Sequence, residues 1–102
     1  MAGIEVNFHP DAHQEYLDAL AWYIAHNEAL GRRFQQAVNE AINYIVEGPQ
    51  RCAVFEDDVR WKRLHRFPYV VYFEHSGDNR VKVMAVAHGR RRPGYWRGRK
   101  DG

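Results

Sequence analysis

The spacing of apolar residues changes at Gly48-Pro49, and this change limits the available folds more than any other feature of the chain. Before it, Phe34, Val38, Ala41, Ile42 and Ile45 recur with the roughly 3.6-residue period of a helix face. After it, Val59 to Leu64 alternates, Val70 to Glu74 is β-branched and aromatic, and Val81 to Ala87 is the longest apolar run. Each of these three reads as a strand. The Gly-Pro pair stops the helix, because proline cannot continue it.

A first helix precedes that one. Pro10 and Asp11 suit an opening turn, where a missing N–H costs little and negative charge is favoured. Leu17, Leu20 and Ile24 fall on one face, flanked by Tyr16 and Tyr23, and the helix is expected to end between Asn27 and Leu30. Gly31 marks the break, with the second helix running from about Arg32 to Glu47. Ile4 to Phe8 alternates as a short strand, and Ser76-Gly77-Asp78-Asn79 is turn chemistry. Short connections make the helices an antiparallel pair and the three later strands antiparallel neighbours. The predicted fold is α+β in the order β-α-α-β-β-β, a single domain over residues 1–102, with a helical hairpin on one face of an antiparallel sheet. Its core would draw on Leu17, Leu20, Ile24, Phe34, Val38, Ile42, Ile45, Val71, Val83 and Val86. The other face of the sheet, or its rim, is left for function.

Charge is distributed unevenly. The chain has 15 basic and 13 acidic residues, but 89–102 holds Arg90, Arg91, Arg92, Arg97, Arg99 and Lys100 against the single acid Asp101. The rest of the chain is therefore acidic, with nine basic and 12 acidic residues. A second basic cluster, Arg60, Lys62, Arg63 and Arg66, lies on the first strand of the later sheet. Two such clusters on an acidic body suggest a positive face for phosphate or for an acidic protein. Tyr95 and Trp96 add stacking rings to the tail, just beyond the rigid strand that ends at His88. The tail 89–102 is expected to be partly flexible. Truncation after Arg92 should then leave the fold cooperative, because few core positions lie beyond it.

Other features narrow the function. Cys52 is the only cysteine, so a disulfide framework is excluded and a reducing compartment fits; it reads as a small apolar filler. No apolar run approaches the roughly 20 residues that span a bilayer, and the N-terminus lacks a basic segment followed by an apolar one. A soluble, cytoplasmic protein without a membrane partner is expected. His9 and His13 are four apart at a helix start, but no third ligand stands nearby, so neither a metal nor a cofactor is expected. Trp22, Tyr23 and Tyr44 read as packing residues, and Glu56-Asp57-Asp58 as a solvated loop. Trp61 alternates with Arg60 and Lys62; exposed, it could stack on a base, and buried, it is core. Phosphate-cradling glycine loops, paired carboxylates and nucleophile elbows are absent.

Two segments carry a family resemblance. Arg66-Phe67-Pro68-Tyr69-Val70-Val71-Tyr72 looks like the Arg-Phe-Pro-Tyr strand of the RelE/ParE superfamily, the toxin halves of bacterial type II toxin–antitoxin pairs. Ala85-Val86-Ala87-His88-Gly89-Arg90-Arg91 is similar to the strand end common in ParE-like members. The resemblance covers about residues 4–96. It implies one of two activities: metal-independent cleavage of messenger RNA on the ribosome by RelE-like members, or poisoning of DNA gyrase by binding in ParE-like members. It also implies a cognate antitoxin, expected to be acidic and partly disordered, wrapping the toxin and folding on it.

Cleavage needs a base for the ribose hydroxyl, cations at the phosphate and an acid for the leaving oxygen. His88 could be the base, Arg60, Lys62, Arg63, Arg66 and Arg90 the cations, and Tyr95 stands where nuclease members often carry a functional tyrosine. Two departures weaken that case. Nuclease members commonly show arginine where this chain has Val70 and Gly89; one residue along a strand points to the other face, so Arg90 is not automatically a substitute, and a shifted set built on Arg90 and Arg91 stays open. Each lost stabiliser could cost roughly 10²-fold. Binding asks less, and Arg90, Arg91, Arg92, Tyr95, Trp96, Arg97 and Arg99 are residue types favoured at interface hot spots. The resemblance therefore favours a ParE-like gyrase inhibitor over a nuclease acting on the ribosome and messenger RNA. A non-catalytic RNA-binding module using the same basic strand is the third reading.

Overall fold

The computed structural model describes residues 3–75 and 79–100; Ser76, Gly77 and Asp78 of the expected turn lie outside them. Strand β1 (Glu5–Phe8) leads into helix α1 (Pro10–His26), then α2 (Glu28–Glu47), β2 (Ala53–Glu56), β3 (Val59–Arg63), β4 (Tyr69–Glu74) and β5 (Arg80–His88). Single 3₁₀ turns occupy Pro49–Arg51 and Arg97–Arg99. Pro10 opens α1, and the His9 imidazole accepts from the Asp11 N–H at 3.0 Å, as a helix cap does.

The two helices are separated by Asn27 alone. Its backbone is extended and donates to the Tyr23 carbonyl, while its side chain accepts from the Leu30 N–H at 3.2 Å, so one residue closes α1 and caps α2. The expected break at Gly31 is thus corrected to Asn27. Gly31 lies inside α2 for a packing reason: a Cβ there would collide with Ile24 Cγ1 and stand 3.2 Å from the Ile24 Cα. Glycine lets the helices meet this closely.

The α+β class and the expected element order hold, with one additional strand. The sheet runs β1-β5-β4-β3-β2. Its hairpins are antiparallel, whereas β1 lies parallel to β5, Glu5 opposite Arg80 and Phe8 opposite Val83, so the sheet is mixed. A connection as long as the helical hairpin plus the meander permits that pairing. The extra strand β2 pairs with β3 through a tight turn at Asp57, whose φ of 50° lies in the region Asp tolerates.

The main core lies between the helices and the sheet. Phe34, Val38, Ala41 and Ile45 of α2 pack with Ala12, Ala19 and Tyr23 of α1 on Val71, Phe73, Val81, Val83 and Val86. Leu20 and Ile42 join it partly buried. Leu17 and Ile24, expected in the core, are 40% and 48% exposed. The small Ala12 and Ala19 let α1 approach the sheet, which turns the Leu17–Ile24 stripe outward.

A second core covers the opposite face. Met84 and Ala85 both point there, because a β-bulge interrupts the register between Tyr72 and Phe73. They pack with Val59 and Ala87, and Trp96 closes the cluster at 0% exposure. Its indole lies against Tyr72 (5.0 Å between centroids) and Phe55 (5.4 Å). The tail therefore carries a core residue, which corrects the ground for expecting truncation after Arg92 to spare the fold: Trp96 is among the largest fully buried side chains. Cys52 is a buried filler, as expected, and burial pushes its thiol pKa up.

Candidate functional site

The tail takes its course from the end of β5. The Arg91 N–H donates to the His88 carbonyl at 2.9 Å and the Arg90 N–H to His88 Nδ1 at 3.1 Å, which turns the chain sharply. Gly94 then adopts a φ of +86°, a conformation side chains rarely take, and brings Tyr95 and Trp96 back across the sheet. Arg90 and Arg92 stay exposed at the turn, and among the described residues neither side chain has a hydrogen bond or ion pair.

The remaining tail cations are held by acids of the body. Arg97 forks onto Glu56 at 2.8 and 2.7 Å, hydrogen bonds that hold the Glu56 carboxyl below its usual range. Lys100 lies 3.4 Å from Asp58 and 3.8 Å from Asp57. Glu56-Asp57-Asp58, expected to be a solvated loop, is where the tail docks. Arg97, Arg99 and Trp96 are accordingly committed to the protein's own interior and rim.

Glu15 organises the other side of the tail. Its carboxylate accepts from the Tyr95 hydroxyl at 2.7 Å, from both Arg99 terminal nitrogens at 3.0 Å, and from the Val86 backbone N–H at 3.0 Å. Arg91 lies 3.9 Å from the same carboxylate, with its guanidinium 3.7 Å from the Tyr95 ring centroid. Burial first, then the hydrogen bond to Glu15, raises the Tyr95 pKa well above the ordinary phenol range. The tyrosine is a committed donor. Sequence reasoning missed Glu15. No local signal marked it: the apolar residues Leu17, Leu20 and Ile24 point to a different inward face, and Glu15 stands one turn from Ala12 and Ala19, whose burial only the fold decides.

The basic strand does not form one patch, because its residues alternate between faces. Arg60 donates to the Cys52 carbonyl at 2.8 Å and the Gln50 carbonyl at 3.3 Å, so it braces the connection before β2. Lys62 lies over the Tyr44 ring at 4.3 Å, on the helix side. Arg63 is exposed above the half-buried Trp61 on the tail side. Arg66, with a φ of 68°, donates to the His65 ring at 3.2 Å. Only Arg63 of the four joins the tail side of the sheet. There, a shallow cavity of about 260 Å³ is bordered by Trp61, Arg63, Tyr72, His88 and Arg91.

A larger groove of about 800 Å³ runs between α1 and the end of β5, bordered by Trp22, Tyr23, Tyr69, Val86, His88 and Tyr95. Trp22, expected to pack, is instead 57% exposed and stacks on His26 at 3.9 Å. Tyr23 is buried, and Tyr44 is half-buried beneath Arg51 and Lys62. Among the described residues no group of three His, Cys, Asp or Glu could hold a metal, and no helix is long and apolar enough to cross a membrane.

A family model described as the ParE toxin of the type II toxin–antitoxin system parDE matches residues 6–93. No curated protein matches the chain in sequence. A solved structure titled as a chromosomal ParDE TA system from P. aeruginosa superposes with a TM-score of 0.68 at 14% sequence identity, covering 83% of this chain and 95% of that one. At that identity the likeness is one of fold. The matched family region ends just before Gly94, so the docked part of the tail lies outside it.

Proposed function

The chain belongs to the ParE toxin family of type II toxin–antitoxin systems, and on that premise we propose that it arrests growth by binding DNA gyrase through the turn after β5. The observation that carries this reading is the state of Tyr95. A nuclease needs a tyrosine or equivalent group free to exchange a proton, whereas this hydroxyl is bonded to Glu15 at 2.7 Å and its pKa is raised by burial. Arg60 is likewise tied to backbone carbonyls, and Val70 and Gly89 supply no guanidinium. What remains is a protruding pair of free cations, Arg90 and Arg92, beside Arg63 and Arg91. That set suits recognition of an anionic or carboxylate-rich surface.

An antitoxin accompanies a toxin of this class, and we infer an acidic, partly disordered one. The groove beside α1, bordered by the exposed Trp22 with Leu30, Tyr69 and Val86, supports this by offering such a segment apolar surface to cover. Purification from the native operon without a stoichiometric small partner would contradict it.

The nuclease reading retains one favourable observation: His88, Arg63 and Arg91 border the same small cavity as Trp61. The test compares the two. Purified protein is expected to inhibit gyrase supercoiling, and its expression to provoke a DNA-damage response, with ribosome-bound messenger RNA left intact. Cleavage in the ribosomal A site that slows by about 10²–10⁴ in His88→Ala would make the chain an enzyme. RNA binding without cleavage or gyrase inhibition would favour the non-catalytic module.

A further inference from the structure

We infer that Glu15 is a positioning residue for the target-binding turn, because with Arg99 it stands in for a missing strand along the open edge of β5. The inference rests on the reading that this turn contacts the target. Pro10 starts α1, so β1 pairs with β5 only as far as Phe8 opposite Val83. Beyond that point, among the described residues, the edge has no neighbouring strand. The Leu64 N–H donates to the Tyr69 carbonyl at 3.0 Å, which turns Tyr69 toward β3. Its partner His88, and Val86 two residues earlier, therefore direct their backbone groups to the open edge.

Side chains take the place of a strand there. Glu15 Oε1 accepts the Val86 N–H at 3.0 Å as a carbonyl would, and Arg99 Nη1 donates to the Met84 carbonyl at 3.1 Å as a peptide N–H would. The two side chains are locked together by paired 3.0 Å bonds, and each is only 17% exposed. Tyr95 and Arg91 hang on the same carboxylate. The free Arg90 and Arg92 flank Arg91, so their course over the body follows from one residue of α1. The arrangement has a direction. A plain ion pair works either way round, whereas a strand surrogate requires the acceptor opposite Val86 and the donor opposite Met84.

Amide hydrogen exchange on the full chain, run beside gyrase supercoiling inhibition, tests this. Glu15→Ala is expected to speed exchange at Val86 and at residues 95–99 at least tenfold, with Val71 and Phe73 unchanged, and to weaken inhibition by a similar factor. Arg99→Lys, which keeps the charge but cannot fork, is the milder variant and is expected to change the same amides less. The exchanged pair Glu15→Arg with Arg99→Glu is expected not to restore protection, since a carboxylate would then face the Met84 carbonyl. Protection restored by the exchanged pair, or unchanged in Glu15→Ala and Arg99→Lys, overturns the surrogate strand. Loosened amides with undiminished inhibition overturn the positioning role. A wild-type protein that does not inhibit gyrase overturns the target reading instead, and the exchange measurements still decide the surrogate strand.

Discussion

Replacing Trp96 by Ala is expected to destabilise the protein by about 3 kcal/mol, although the residue sits six positions before Gly102 in a run of arginines and glycines. Trp96 is fully buried against Phe55, Tyr72, Met84 and Val59. A buried tryptophan removes up to about 250 Å² from water, an upper bound near 6 kcal/mol at roughly 25 cal/mol per Å². Measured Trp→Ala losses lie nearer 3–5 kcal/mol. Among the described residues the buried indole Nε1 has no hydrogen-bond partner, which costs about 1–3 kcal/mol and places the net at the lower end. For a domain of this size, about 3 kcal/mol corresponds to roughly 12–24 °C in Tm. Urea unfolding followed by far-UV circular dichroism measures it. Trp96→Phe removes the unpartnered donor along with some volume, so its loss is expected to stay below about 2 kcal/mol. Truncation after Arg92 should cost at least as much as Trp96→Ala. A Trp96→Ala midpoint within about 0.5 kcal/mol of wild type would refute the second core.

Gly31→Ala sets a helix-propensity gain of about 1 kcal/mol against overpacking on Ile24 of about 1–3 kcal/mol. A net loss near 1 kcal/mol in thermal unfolding is expected, and a net gain would mean the hairpin has room for a methyl. The Arg97 fork lowers the Glu56 pKa in the folded state. Its contribution is therefore complete above the ordinary carboxylate range and is lost as pH falls through the folded value. Glu56→Gln should flatten that acid limb of the stability–pH curve; a limb as steep as wild type would remove Glu56 from the linkage. Combined Arg90→Ala and Arg92→Ala should weaken gyrase inhibition at least tenfold while moving the unfolding midpoint by less than about 0.5 kcal/mol. Undiminished inhibition would show that the turn is not the contact.

The sequence by itself determined what depends on neighbours a few positions apart. The Phe34–Ile45 face of α2, the stop at Gly48-Pro49 and the strands β3, β4 and β5 follow from period and turn chemistry, which are local properties. The resemblance carried by Arg66–Tyr72 and Ala85–Arg91 was likewise legible, because it lies in the order of residues along two strands. Tertiary structure decided the rest. Leu17 and Ile24 are more apolar than Ala12 and Ala19, yet the alanines face the sheet, because the spacing between helix and sheet selects size as well as hydrophobicity. Trp96 has the composition of a contact residue, and its burial depends on Phe55 and Tyr72, which only the folded sheet brings beside it. Arg99 and Glu15 lie 84 positions apart. Their pairing answers hydrogen-bonding groups on β5 that exist as a free edge only because β1 ends where α1 begins, a fact about strand pairing that no local pattern encodes.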